Sequence, residues 1–433
     1  MKTLLCISFL ICQVVLVKAF SQNAYIPLGS DSIAVVNTLN NTIVTRIKNS
    51  KGYSYGIAAN PSHNSVYLND NNSAYVTVVN TISNKVSRYI SLAPGRGGYS
   101  IAVNPSGTKF YVPNTGTYED SMYIFDAETF SRIAKISLHS YPGRVGQVIV
   151  NNDGSKVYIP SLDRNFNATI VVINGLTNKL ETIIKVPNAD QFQYLAISID
   201  NKVLYASNTQ DKVYVINTVT NKVTGTINVS SYPIYLQISN DGSKLYVADA
   251  SGFISIINTS NNKVSANKIF GFQLISGLAI SSDDKKLFVA NNTLQNNEGK
   301  MSTVNTVNRN ILNETIVSKS SATAIALNYP SATFSNDELN ISTSLPSKVT
   351  NSGTVSVFPN PAKSFVKISF FGIDPSTLFI SNVAGVVLIQ KELTNREKEM
   401  GYIYMDVSEL STGYFNVRFN TTNNIVSTMF FKD

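Results

Sequence analysis

The chain has 433 residues, 43% of them hydrophobic and 14% charged, so it can bury a large core and is expected to hold more than one domain. Its formal charge of +8 comes from dispersed basic residues that form no runs, which argues against a nucleic-acid partner. Both cysteines, Cys6 and Cys12, lie in the first apolar segment, so a mature chain without that segment has no thiol, disulfide or cysteine-bound metal.

Residues 1–21 read as a secretory signal peptide: Lys2, an apolar run from Leu4 to Val17, then small residues at Ala19 and Ser21. The run is short for a membrane span, and no later segment approaches the roughly 18 apolar residues of a transmembrane helix. Neither cysteine follows a small residue at the end of the run, as a lipoprotein signal requires. Without Lys2 and Lys18 the formal charge is 8 − 2 = +6.

Ala24 to Arg46 holds three strand signals, at Tyr25–Pro27, Ile33–Asn37 and Ile43–Ile47. A repeat follows, clearest from Ile101 to Asn114, where an apolar strand meets the turn Pro105-Ser106-Gly107 and a second strand centred on Tyr111. Copies begin at Ile57, Val148, Leu195, Leu236 and Leu278, so successive starts are 44, 47, 47, 41 and 42 residues apart. A third strand in each copy ends at Asn80, Asp126, Asn174, Asn217, Asn258 or Asn305, and a turn such as Thr220-Asn221-Lys222 leads into a fourth. Four strands in roughly 40 to 45 residues is the period of a β-propeller blade.

The first copy lacks its leading strand, and Ile325–Asn328, 47 residues after Leu278, supplies one. The expected fold of residues 22–328 is therefore an all-β, seven-bladed propeller closed by strand exchange between its termini, with no open edge. Tyr67, Tyr111, Tyr158, Tyr205, Tyr246 and Phe288 recur in second strands that are apolar on both faces, which favours packing between blades over a ligand ladder. The Asn and Asp residues that end third strands suit Asx turns and not metal binding.

Alternation of four antiparallel strands sends the links between blades and the second-to-third links to one face, around the channel mouth. Those links carry Tyr53 and Tyr55, Arg96 and Tyr99, Tyr141 and Arg144, Phe192 and Tyr194, and Tyr232 and Tyr235, with insertions at 116–120, 163–167 and 294–299. Arg96, Tyr99, Tyr141 and Arg144 fall in consecutive links, beside Tyr118 and Phe166. These six residues are the candidate binding sector, an aromatic platform with guanidinium groups for an envelope polysaccharide or a protein ligand. The same side chains would equally serve to plug the channel. His63 and His139 are the only histidines, and neither sits in a triad or ligand pattern, so no catalytic residue, metal or cofactor is expected. Convergence of Glu119, Asp120, Asp163 and His139 would be needed for catalysis.

Residues 329–352 are rich in Ser, Thr and Asn and read as a linker. Residues 353–433 show alternating strands in about 80 residues, the pattern of a small C-terminal β-sandwich.

Two parts of the chain resemble known families. The aromatic-aliphatic-x-Asn hairpin endings, at Tyr111–Asn114, Tyr205–Asn208 and Phe288–Asn291, with the run from Val213 to Val223, are similar to YVTN-type surface-layer β-propellers. Some propellers of that kind are lactonases or lyases, so a secreted enzyme of that type is the alternative to a non-catalytic binding or surface-layer protein. The final module resembles the C-terminal sorting domain of the Bacteroidetes type IX secretion system. The matching residues are Phe358-Pro359-Asn360-Pro361, Ser381 to Gly385, Val407 to Leu410, Gly413-Tyr414-Phe415 and Phe430-Phe431-Lys432. That resemblance implies the type IX secretion machinery as partner and delivery to the outer-membrane surface or the medium, with the module removed or attached to surface lipopolysaccharide.

Overall fold

The computed structural model describes residues 22–328 and 354–432, apart from residues 30, 71–72, 95, 116–119, 139–144, 187–188, 230–231, 359–364, 372–373, 383–386, 401, 411–412 and 422–424. The expected signal peptide and linker lie outside the described residues.

Up to Asn328 the strands form seven antiparallel sheets, arranged as propeller-like blades. The first sheet orders Ala326–Asn328, Asn23–Pro27, Ser32–Asn37 and Thr42–Lys48, with Asn23 opposite Asn328 and Tyr25 opposite Ala326. The second holds Ser54–Ala59, Ser65–Asp70, Tyr75–Asn80 and Lys85–Ser91 in sequence order. In the third, Arg96–Gly97 and Ala102–Val103 both pair with Lys109–Thr115, which makes five strands. The fourth to seventh sheets span residues 149–186, 192–228, 233–264 and 274–318, each with four strands in sequence order.

Sequence character sets strand position within each sheet. The second strands are apolar on both faces and wholly buried, as at Val157–Ile159, because each sheet is covered on both sides. The fourth strands alternate, so Thr42–Lys48 presents every second residue to solvent. The recurrent aromatics Tyr25, Tyr67, Tyr111, Tyr158, Tyr205, Tyr246 and Phe288 are each at most 1% exposed, so they are core. Burial also pushes the Tyr67 and Tyr246 phenols up to about 12.

Successive sheets share buried cores. Tyr25, Ile33 and Val35 of the first sheet pack with Val66 and Leu68 of the second, and equivalent clusters join the second to the third and so on to the seventh. A further cluster packs Phe288, Ala290 and Met301 of the seventh sheet with Ala24, Ile26 and Leu327 of the first.

Each third-to-fourth turn follows one design. The Asn217 carboxamide oxygen accepts from the backbone N–H of Val219 at 2.9 Å and of Thr220 at 2.8 Å. Asn37, Asn80, Asp126, Asn174 and Asn305 accept in the same way, and Asn258 accepts from Ser260. Four residues after each acceptor, Asn41, Asn84, Phe130, Asn178, Asn221, Asn262 and Arg309 adopt a left-handed φ between 51° and 68°. Asparagine tolerates that region best among residues with a side chain, which explains its recurrence there.

Residues 354–432 form a second β module. One sheet holds Thr354–Phe358, Phe365–Phe371 and Tyr402–Asp406; the other orders Val387–Glu392, Pro375–Asn382, Gly413–Thr421 and Ile425–Lys432. Both face a core that includes Val366, Ile368, Leu378, Ile380, Val417 and Phe419. A short helix, Asn395–Met400, departs from the all-strand expectation.

Candidate functional site

A cavity of about 420 Å³ lies where the first strands of the sheets converge, and all seven sheets or their adjoining links contribute to its wall. Tyr55 comes from the second sheet, Tyr99 from the third, Tyr194 from the fifth and Tyr235 from the sixth. Ser276 of the seventh sheet and Ile325, beside the first sheet's leading strand, complete the circuit with Gln147 near the fourth.

Close backbone approach shapes this wall. A Cβ on Gly56 would sit 2.7 Å from the Ser100 Cα, and one on Gly146 would sit 2.4 Å from the Gln193 carbonyl oxygen. Glycine at these points lets neighbouring sheets touch through backbone. Hydrogen bonds then join them: the Asn69 amide donates to the Ser100 carbonyl at 2.8 Å, and the Gln147 N–H donates to the Gln193 carbonyl at 2.7 Å.

The wall offers rings and neutral polar groups, with no charged side chain among its described residues. Tyr55 and Tyr99 meet edge to face at 5.5 Å, and both are substantially exposed. Tyr194 and Tyr235 are tilted at 4.4 Å, and burial pushes the Tyr235 phenol well above its ordinary value. The Gln147 Oε1 and Ser276 Oγ atoms are buried without a hydrogen-bond partner among the described residues. Such atoms are costly unless a ligand or water satisfies them. The arrangement can stack a ring face and hydrogen-bond hydroxyl groups.

The candidate sector is only partly within this wall. Tyr99 stands on it, 59% exposed. Arg96 lies on the strand that pairs with Asn114 and Thr115. Phe166 is 58% exposed on the 163–167 turn and does not line the cavity. Tyr118, Tyr141 and Arg144 lie outside the described residues, as do Glu119 and His139. Asp163 is engaged in its own turn, accepting from the N–H groups of Asn165 and Asn167 at 2.9 Å each. Among the described residues no cluster of His, Cys, Asp and Glu could hold a metal ion.

Sequence reasoning passed over Asp70, a wholly buried carboxylate just behind Tyr55. Ser54 Oγ donates to its Oδ1, as does Asn49 Nδ2 at 3.0 Å, while Thr77 Oγ1 donates to Oδ2 at 2.5 Å. Burial outweighs these bonds and pushes the carboxyl up to about 6. With neutral partners and no solvent access, it is a structural acid.

In the second module, Leu410 packs on the core and Gly413 pairs with Lys432 at the edge of the larger sheet. Tyr414 pairs with Phe431 on the same ladder. Pro359, Asn360, Pro361 and Gly385 lie outside the described residues.

Comparison with known proteins agrees with the two-part architecture. Residues 356–432 match the family model described as a secretion system C-terminal sorting domain, so the chain carries a type IX sorting domain at its end. That domain indicates export to the cell surface or beyond it, through interaction with the secretion machinery. No curated protein matches the chain. Solved structures similar to it include the hydrazine synthase of Kuenenia stuttgartiensis, at 15% identity and a TM-score of 0.57, covering 64% of this chain and 90% of that one. A functionally unknown protein from Desulfotomaculum acetoxidans DSM 771 has 12% identity and a TM-score of 0.60, with 72% and 99% covered. At such identities the likeness concerns the fold alone, a propeller-like β architecture. No helix among the described residues is long and apolar enough to cross a membrane.

Proposed function

We propose that the chain is a surface-delivered, closed seven-bladed propeller of the YVTN type that binds a hydroxyl-rich envelope ligand at its central mouth without catalysing a reaction. The wall of the cavity carries this reading: tyrosine pairs and neutral amides and hydroxyls, drawn from every sheet. Support for closure comes from the ladder between Asn23–Tyr25 and Ala326–Asn328, and from the buried cluster shared by the seventh and first sheets. The sequence pattern suggested guanidinium groups beside the rings and hence acidic partners as well. The neutral wall of the described residues favours hydroxyl-rich ones.

The test is retention of the full chain on isolated envelope polysaccharide. Tyr55→Ala with Tyr99→Ala is expected to abolish retention while moving the melting temperature little, because both side chains are already substantially exposed. Unchanged retention would overturn the assignment, as would loss of retention accompanied by a large loss of stability.

A further inference from the structure

The face opposite the mouth carries an unassigned cluster of cations. The first-to-second turns of the second to seventh sheets and each third-to-fourth turn emerge there, as strand alternation requires. Between the sixth and seventh sheets a hollow of about 290 Å³ is walled by Lys244, Lys263 and Arg309, with Asn258, Asn261 and Ser265 beside them. No carboxylate lines it among the described residues. The Arg309 Nε is buried and has no hydrogen-bond partner among the described residues. The nearby acids are committed elsewhere: Asp284 accepts from the N–H groups of Asn240 at 2.7 Å and Asp241 at 2.9 Å, and Asp241 accepts from Ser243 N–H at 2.9 Å.

The tips of the third-to-fourth turns on this face share a second feature. Two residues after the turn acceptor stand Leu39, Ile82, Leu176, Val219 and Val307, which are 56%, 72%, 62%, 77% and 75% exposed. Single exposed aliphatics need no explanation, but five of seven at one turn position form a pattern. Three residues after Ile82, Leu176 and Val219, Lys85, Lys179 and Lys222 are exposed, and Arg309 follows Val307, while Lys263 holds the same place after Ser260. An aliphatic tip beside a cation is the combination that settles into the interface of an anionic lipid layer.

Chain direction gives this face its orientation. The ladder of the first sheet runs out at Asn328 on the same side, so the linker toward the sorting domain starts there. The sorting domain touches that side at a turn of the fourth sheet, two sheets away from the hollow, with the Tyr404 hydroxyl donating to the Asn152 carbonyl at 2.5 Å and Tyr402 donating to the Asp153 carbonyl.

We infer that this face docks the propeller on an anionic lipid surface, with one phosphorylated headgroup held by Lys244, Lys263 and Arg309 and the aliphatic tips inserted shallowly around it. A guanidinium and two ammonium groups supply charge-assisted bonds to phosphate oxygens, including one for the orphaned Arg309 Nε. The mouth then points away from the membrane toward its ligand.

The test is flotation of the full chain with vesicles of phosphatidylcholine alone or with added phosphatidylglycerol. Binding is expected only to the anionic vesicles, falling as salt rises. Lys244→Gln with Lys263→Gln and Arg309→Gln should weaken it about ten-fold or more. Ile82→Ser with Leu176→Ser, Val219→Ser and Val307→Ser should weaken it by a similar factor in the same salt, and these exposed positions keep the test open if the charge variant misfolds. Equal binding to both vesicle types, no binding to either, or unaltered binding by folded variants of both sets would overturn the proposal. So would saturable binding of inorganic phosphate at the hollow without vesicle binding, or variants that change only self-association.

Discussion

Asp70 shows how one residue can carry a chemistry that its repeat position does not announce. Its counterparts by register, Asn208 and Asp249, use their side chains to cap the following link, accepting from Lys212 N–H at 2.9 Å and Phe253 N–H at 3.0 Å. Asp70 turns inward instead, because Asn49, Ser54 and Thr77 surround it with donors. Its carboxyl titrates near 6 in the folded chain against an ordinary value of 3.8, so the folded state holds the proton more tightly. The associated stability is complete below about 4 and is lost as pH rises through about 6. Asp70→Asn is expected to flatten this dependence and to melt higher than the parent at pH 7.5, by up to roughly 3 kcal/mol, while matching it near pH 4. The amide fits because Thr77 can turn its proton to Asn49 Oδ1, 3.1 Å away, and accept from the new N–H. Thermal melts across that pH range check the prediction, and a lower melting point at pH 7.5 would show that the carboxylate's bonds outweigh its burial.

At the scale of elements, much of the architecture was legible because strand and turn signals repeat in phase. The two-faced apolar second strands and the Asx acceptors at Asn80, Asn174 and Asn217 fixed both element type and spacing. The leading strands of the third and fourth sheets were less legible, shrinking to Ala102–Val103 and Ile149–Val150, since their flanks bond to neighbouring sheets instead. The helix at Asn395–Met400 was missed although its capping box was present: Thr394 Oγ1 accepts from Glu397 N–H at 3.2 Å, and Glu397 accepts in return from Thr394 N–H at 2.9 Å. The rings of the mouth could be read as link aromatics, whereas the buried oxygens of Gln147 and Ser276 acquire meaning only once the sheets converge. The strand Ala326–Asn328 bears a prediction of its own. A chain ended at residue 323 loses the ladder to Asn23–Tyr25 and the burial of Ile325 and Leu327, worth roughly 3–6 kcal/mol together. Compared with a chain ended at residue 328, it should melt lower and aggregate through the bared edge. Equal melting temperatures and monomeric elution of both would count against a closed ring.

For the whole molecule, the two modules are built to be separable. The sorting domain has its own core around Ile368, Leu378, Val417 and Phe419, and no residue of that core cluster belongs to the propeller. Its contact with the seven sheets includes the hydroxyls of Tyr402 and Tyr404 on the backbone of one turn, with Lys367 beneath the Tyr402 ring at 4.3 Å. Burial lowers the Lys367 ammonium to about 7, so this small interface carries a charge that is costly to keep there. Such a contact adds little to propeller stability compared with the seven buried clusters between sheets. Removal of residues 354–433 is therefore expected to leave a folded propeller with a melting temperature close to that of the parent, but without its export signal. In a host with type IX secretion that shortened chain should accumulate in the periplasm, where resistance to added protease would report its folded state. Delivery of the shortened chain to the surface at the parent's level would mean that the propeller carries a second address.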